Sequence, residues 1–166
     1  MSQTNSSGPS LELLVGMKLC GIHVAVDMLV LSFGSMRSVA SRRGDSRRVG
    51  DLALHIQSQW WAVFDGEVVA EQRACYDGFK EVGERLQDTL ASPTESGAPV
   101  ALSVNHDLDG ALSLVFSNTL SVGVRSKHDT CQSDTGVGVE WWRVFRPFGK
   151  GGHLVFGPAN PEGVVE

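Results

Sequence analysis

Cysteine is scarce in this 166-residue chain: Cys20, Cys75 and Cys131 are odd in number and lie more than fifty residues apart. That spacing excludes a disulfide framework and a zinc knuckle with closely set ligands, and it points to a reducing, cytoplasmic setting. No apolar run approaches the roughly 18 residues of a membrane-spanning helix. The opening MSQTNSSGP is polar and lacks the basic and apolar regions of an export leader. Phosphate loop, GxGxxG, GxSxG and HExxH are all missing, which removes the compact signatures of nucleotide binding, serine hydrolysis and zinc proteolysis. With 42% hydrophobic and 20% charged residues and a mean hydropathy of −0.04, the composition is neither that of a disordered chain nor that of a coiled coil. A chain of this length buries roughly 70% of its unfolded surface, so it needs no metal or disulfide to fold, and no cofactor is expected.

Aromatic residues make up only 7% of the chain, yet all four tryptophans fall into two doublets, WWAVF from Trp60 and WWRVF from Trp141. Upstream of each doublet lies a matching segment. Leu29-x-Leu31-x-Phe33 with Ser38-Val39 corresponds to Leu112-x-Leu114-x-Phe116 with Ser121-Val122, and IHVAVD (22–27) corresponds to LSVNHD (102–107). The sequence therefore reads as two copies of one unit, about 11–72 and 79–157, within a single domain spanning 10–157. The polar stretches 1–9 and 158–166 read as flexible tails.

Strand periods dominate each copy. Leu112, Leu114 and Phe116 alternate with Ala111, Ser113 and Val115, and Leu52, Leu54 and Ile56 alternate with Ala53, His55 and Gln57. Asp65-Gly66 and Leu108-Asp109-Gly110 are short turn signals suited to antiparallel pairing. The run Asn105 to Gly110 imitates the start of a calcium loop, but Phe116 stands where the closing bidentate carboxylate belongs, so the run reads as a hairpin turn. One segment breaks the strand period: Phe79, Val82, Leu86 and Leu90 recur at three and four, which predicts an amphipathic helix over 77–91, with Ser10 to Val15 as its shorter counterpart. The fold expected is α+β and mainly β: two tandem helix-plus-antiparallel-meander repeats forming one sheet, sandwich or half-barrel, with helices on one face or end.

Charge is unevenly placed. Five of the fourteen basic residues, Arg37, Arg42, Arg43, Arg47 and Arg48, fall within twelve positions opposed only by Asp45, so that segment carries +4 and the remainder of the chain −9. Guanidiniums grip carboxylates or phosphates bidentately. The overall charge of −5 disfavours generic nucleic-acid binding, and no aromatic is interleaved to stack bases. By alignment, the counterpart loop is 125–136, where His128, Asp129 and Cys131 form a weak catalytic constellation with no metal expected. In each Trp doublet one indole should enter the core while the other points outward, and the outward pair is taken as Trp61 and Trp142.

The segments VGMKLCGIHVAVDMLVLSF, DGALSLVFSNTLSVGV, EWWRVF and HLVFGP, spread over about 13–157, resemble small bacterial proteins common in actinobacteria, in which an L-x-L-x-F unit precedes a Trp-bearing strand. The resemblance carries no catalytic residues. It implies a duplicated α+β protein, and since some similar proteins are immunity or accessory proteins, it implies a protein partner. The function expected is a non-enzymatic binding protein that meets an acidic protein surface through Arg37, Arg42, Arg43, Arg47, Arg48, Trp61 and Trp142. A small hydrolase or ligand-binding enzyme using His128, Asp129 and Cys131 in a pocket between the copies is the alternative, and RNA or nucleotide binding through the arginines is a third reading. Strand edges make a homodimer a further expectation.

Overall fold

A computed structural model describes residues 10–25, 28–71, 84, 97–124, 140–148 and 151–166. The alternating apolar segments become strands. The first half supplies β1 (Leu19–Ala25), β2 (Met28–Phe33), β3 (Arg37–Ala40), β4 (Ser46–Val49), β5 (Leu52–Ile56), β6 (Trp60–Phe64) and β7 (Glu67–Glu71). The second supplies β8 (Ala101–His106), β9 (Leu112–Phe116), β10 (Ser121–Val124), β11 (Trp142–Phe145), β12 (Leu154–Gly157) and β13 (Asn160–Val165). One sheet has the order β1-β2-β5-β11-β12-β13 and another the order β7-β6-β10-β9-β8, while β3 and β4 form a separate ribbon. All pairings within these sheets are antiparallel.

The two large sheets share one core. Leu29, Leu31, Phe33, Leu54, Ile56 and Trp142 of one sheet and Trp60, Leu112, Leu114, Phe116, Val122 and Val124 of the other belong to a single buried cluster. Each fully buried side chain of this kind contributes about 1.5–3 kcal/mol. Phe33 and Phe116 stack across the layers with centroids 6.3 Å apart. At the other end, the His106 ring meets Trp142 at 5.5 Å and Phe156 at 5.1 Å. Near the Phe33 end an antiparallel bridge, Lys18 with Val100, ties the start of β1 to the start of β8.

The expected helix-plus-meander repeat is not present. Among the described residues, helical backbone is limited to a 3-10 turn, Leu11–Leu14, and to Glu84. The turn buries Leu11 and Leu14 and gives way at Gly16, whose φ of +85° leaves the helical region. The helix expected over 77–91 lies, except for Glu84, outside the described residues. Nor does each half build its own meander. The matching Leu-x-Leu-x-Phe strands, β2 and β9, sit in opposite sheets, and each half sends its Trp-bearing strand into the sheet begun by the other.

The registers make this exchange explicit. In one sheet Leu29, Ile56 and Trp142 lie side by side, and in the other Leu112, Val124 and Trp60 do. Trp142 therefore corresponds to Trp60, one residue out of step with the doublet alignment. A one-residue slip exchanges inside for outside along a strand, so the shared letters WWxVF misassign the facings along β11, while Trp141, just before that strand, is buried as well, and neither indole of the second doublet points outward. Residues 158–166, read from sequence as a tail, instead contribute β13, and His153 and Glu166 exchange backbone hydrogen bonds of 3.0 and 2.9 Å.

Candidate functional site

The arginine-rich segment is a folded ribbon and not a plain loop. Arg37 pairs with Val49, Ser38 with Arg48, Val39 with Arg47 and Ala40 with Ser46. Residues 41–45 close its end, where the Ser41 amide donates to the Asp45 carbonyl at 2.7 Å and Gly44 takes a φ of +86°. Side chains alternate across the ribbon. Arg37, Val39, Arg47 and Val49 share one face, and Val39 and Val49 are half-buried there, so this face lies toward the body. Ser38, Ala40, Ser46 and Arg48 share the other face and are all exposed.

Asp51 anchors the base. Its carboxylate accepts from the Ser35 amide at 2.8 Å and from Arg37 Nε at 3.2 Å, with the Arg37 Nη2 at 3.0 Å. The Arg37 guanidinium also lies 4.7 Å from the centre of the Phe148 ring. Arg37 is thus committed within the chain, although the sequence places it with the contact residues. Arg42, Arg43, Arg47 and Arg48 are exposed, and no carboxylate among the described residues forms an ion pair with them. Four cations are therefore presented on the tip and flanks of one projection.

The two expected contact indoles separate. Trp142 is wholly buried, stacked on Phe156 at 3.7 Å, and contributes to the core. Trp61 is half-buried and faces outward on the five-stranded sheet, where the row Asn105, Ser113, Gly123 and Trp61 crosses four strands. Its six-membered ring lies over Gly123, so close that a Cβ there would fall 2.2 Å from the ring. Trp61, Asn105, His106, Asp107, Ser113 and Ser121 border an open groove of about 400 Å³ beside it.

The same row on the six-stranded sheet is built differently: His23, Val30, His55, Arg143 and Val155 lie side by side. Arg143 forms an ion pair with the buried Glu140, which also accepts from Gln57 at 3.2 Å. Arg143 Nη1 lies 3.1 Å from His153 Nδ1, the Phe145 ring stacks on His153 at 4.6 Å, and His55 meets Phe145 edge-on at 4.6 Å. Burial, reinforced by the Arg143 charge, lowers the pKa of His55 to about 4, so it is neutral near pH 7. Burial likewise raises the pKa of the Cys20 thiol, which donates to the Ser32 carbonyl at 3.2 Å.

His128, Asp129 and Cys131 lie outside the described residues. The equivalence drawn between their loop and the arginine segment does not hold, because the ribbon falls between β2 and β5 whereas 125–139 falls between β10 and β11. Among the described residues no group of three or more His, Cys, Asp or Glu side chains is arranged to hold a metal ion, and no helix is long and apolar enough to cross a membrane. No family model, curated protein or solved structure matches this chain.

Proposed function

We propose that this chain is a non-enzymatic binding protein that engages a carboxylate-rich protein surface through the β3–β4 ribbon. The observation that supports this most is the presentation of Arg42, Arg43, Arg47 and Arg48 on a projection whose base is fixed by Asp51 and Phe148. A pre-shaped ribbon loses less conformational entropy on binding than a loop would, and guanidiniums pair with carboxylates in two-point geometry. The remainder of the chain carries −9, which repels an acidic partner everywhere but at the ribbon and so fixes its orientation.

The test is affinity purification of the tagged protein from its native cell at modest salt, beside a variant with Arg42, Arg43, Arg47 and Arg48 all changed to Ala, each with and without ribonuclease. The expected result is an acidic protein retained by the unaltered chain, released by rising salt and lost from the variant. Equal retention by both proteins refutes the role of the ribbon, and loss on ribonuclease treatment assigns the ribbon to RNA instead.

A further inference from the structure

The ribbon presents backbone as well as charge. In an antiparallel pair, opposed residues alternate between exchanging hydrogen bonds and leaving them to the outside. The Ser41 amide bonds the Asp45 carbonyl, so counting back along the ribbon makes Val39 with Arg47 and Arg37 with Val49 the bonded pairs. The N–H and C=O groups of Ser46 and Arg48 therefore turn away from β3, along the outer edge of β4. β4 pairs with β3 alone, and among the described residues nothing bonds to these groups. We infer that an acidic segment of the partner docks on this edge as a third strand, setting two consecutive Asp or Glu residues beside Arg47 and Arg48. This rests on the reading of the ribbon as the contact surface and adds how the partner is held.

The side chains select the edge. β3 opens outward at Ser38 and Ala40, which are uncharged, and its Arg37 is already held by Asp51 and Phe148. β4 carries Arg47 and Arg48 in succession, both exposed. Successive residues of a strand point to opposite faces, so the two guanidiniums flank the edge above and below. An added strand with adjacent acidic residues sets one carboxylate beside each guanidinium, since directly opposed side chains on paired strands have Cβ atoms about 4.5–5.5 Å apart. Arg42 and Arg43, in the closing turn, continue the cationic track beyond Ser46.

The same arginines select the strand. An open edge is a template for any extended chain, and charged side chains commonly guard it. Here the guard has one sign. A second copy of the ribbon would bring its own Arg47 and Arg48 against these, and like charges directly opposed are destabilising. Self-pairing is disfavoured and an acidic strand favoured. A four-residue strand such as β4 is about 14 Å long, so about four partner residues cover it. In strand addition the main-chain bonds supply affinity while the side chains supply selection, which divides the work here between Ser46 and Arg48 backbone and the guanidiniums.

The test uses two capped octapeptides of equal charge, titrated into the full chain at low salt. Each holds two glutamate pairs. The other four positions are threonine and valine in one peptide and proline in the other, which lacks the amides a ladder needs. Amide hydrogen exchange followed by NMR is the readout. In the free chain the Ser46 and Arg48 amides should exchange faster than those of Arg47 and Val49, which β3 protects. The expected result is binding of the threonine–valine peptide at least about tenfold tighter than the proline peptide, with Ser46 and Arg48 exchange slowed at least about tenfold at saturation. Ser46→Pro keeps every arginine and the bonds within the ribbon while removing one outward N–H, a change that edge strands tolerate. It should weaken the threonine–valine peptide and leave the proline peptide unaffected. Equal binding of both peptides with Ser46 and Arg48 unprotected overturns strand addition and leaves docking by charge standing, as does undiminished binding to Ser46→Pro. Absence of binding by either peptide also overturns the inference, and purification with the quadruple arginine variant then decides the role of the ribbon separately.

Discussion

Gly123→Ala tests how Trp61 is seated. A Cβ at this position would lie 2.2, 2.3 and 2.8 Å from three atoms of the indole ring, well inside contact distance, so the ring must lift off the sheet. Forcing a methyl into such a contact costs about 1–3 kcal/mol. With the indole removed the sign reverses, because glycine within a strand is about 0.5–1 kcal/mol less favourable than alanine. Gly123→Ala should therefore destabilise the unaltered chain and stabilise the Trp61→Ala chain, with a coupling of about 1.5–4 kcal/mol between the two positions. Urea unfolding of the four proteins, followed by far-ultraviolet circular dichroism so that loss of an indole does not alter the probe, measures all four corners of the cycle. If Gly123→Ala has the same effect in both backgrounds, the indole does not rest on this strand, and the groove beside it has a different shape.

His55 should make stability pH-dependent. Its pKa is about 4 in the fold against a usual 6.5, so from pH 6.5 downward the unfolded chain takes up a proton that the folded chain refuses. Stability should fall across pH 6.5 to 4 and level off below, by about 2 kcal/mol once solvent screening is allowed for. His55→Gln should remove that part of the pH dependence in urea titrations at several pH values. The pKa of His23 is also lowered by burial, so an unchanged slope in His55→Gln would refute the assignment to His55 and point to His23. Trp142 is fully buried, and its indole N–H has no hydrogen-bond partner among the described residues. Trp142→Ala should cost about 3–5 kcal/mol, whereas Trp142→Phe should cost less than half of that, because both remove the unsatisfied donor but the phenyl ring keeps most of the buried contacts. Equal losses in thermal unfolding would show that a ring at this position does not restore the core contacts.

The parts of this fold legible in the sequence are those set by neighbours along the chain. Leu29, Leu31 and Phe33, like Leu112, Leu114 and Phe116, announce strands with one buried face, and all six are buried. Asp65-Gly66 announces a tight turn, and both residues have positive φ, at 51° and 82°. Choice of partner strand is another matter. Nothing local in WWAVF or WWRVF says which sheet receives the strand, and the inward phase of each doublet is decided by Val124 beside Trp60 and Ile56 beside Trp142. The ribbon was hidden for a related reason: Val39 and Val49 are its only sizeable apolar residues, too few to display a strand period among so many arginines. The groove depends on Gly123 lying beneath Trp61 and on Asn105 two strands farther on, a juxtaposition that exists only once the register is set.

The exchange of strands between halves also bears on how the chain matures. During synthesis β1, β2 and β5 emerge without β11 beside them, and β6 emerges without β10, so the five-stranded sheet cannot be completed until about residue 124 has left the ribosome and the six-stranded sheet until about residue 165 has. Until then Leu31, Leu54 and Trp60 lack the complete second layer that buries them, and exposed apolar surface of this kind favours aggregation of the nascent chain. Pairings between strands so distant in sequence also slow the search for the native arrangement. The same geometry makes the molecule a natural split reporter: polypeptides 1–84 and 85–166 should each remain unfolded alone and recover the fold on mixing, since each holds the strands the other lacks.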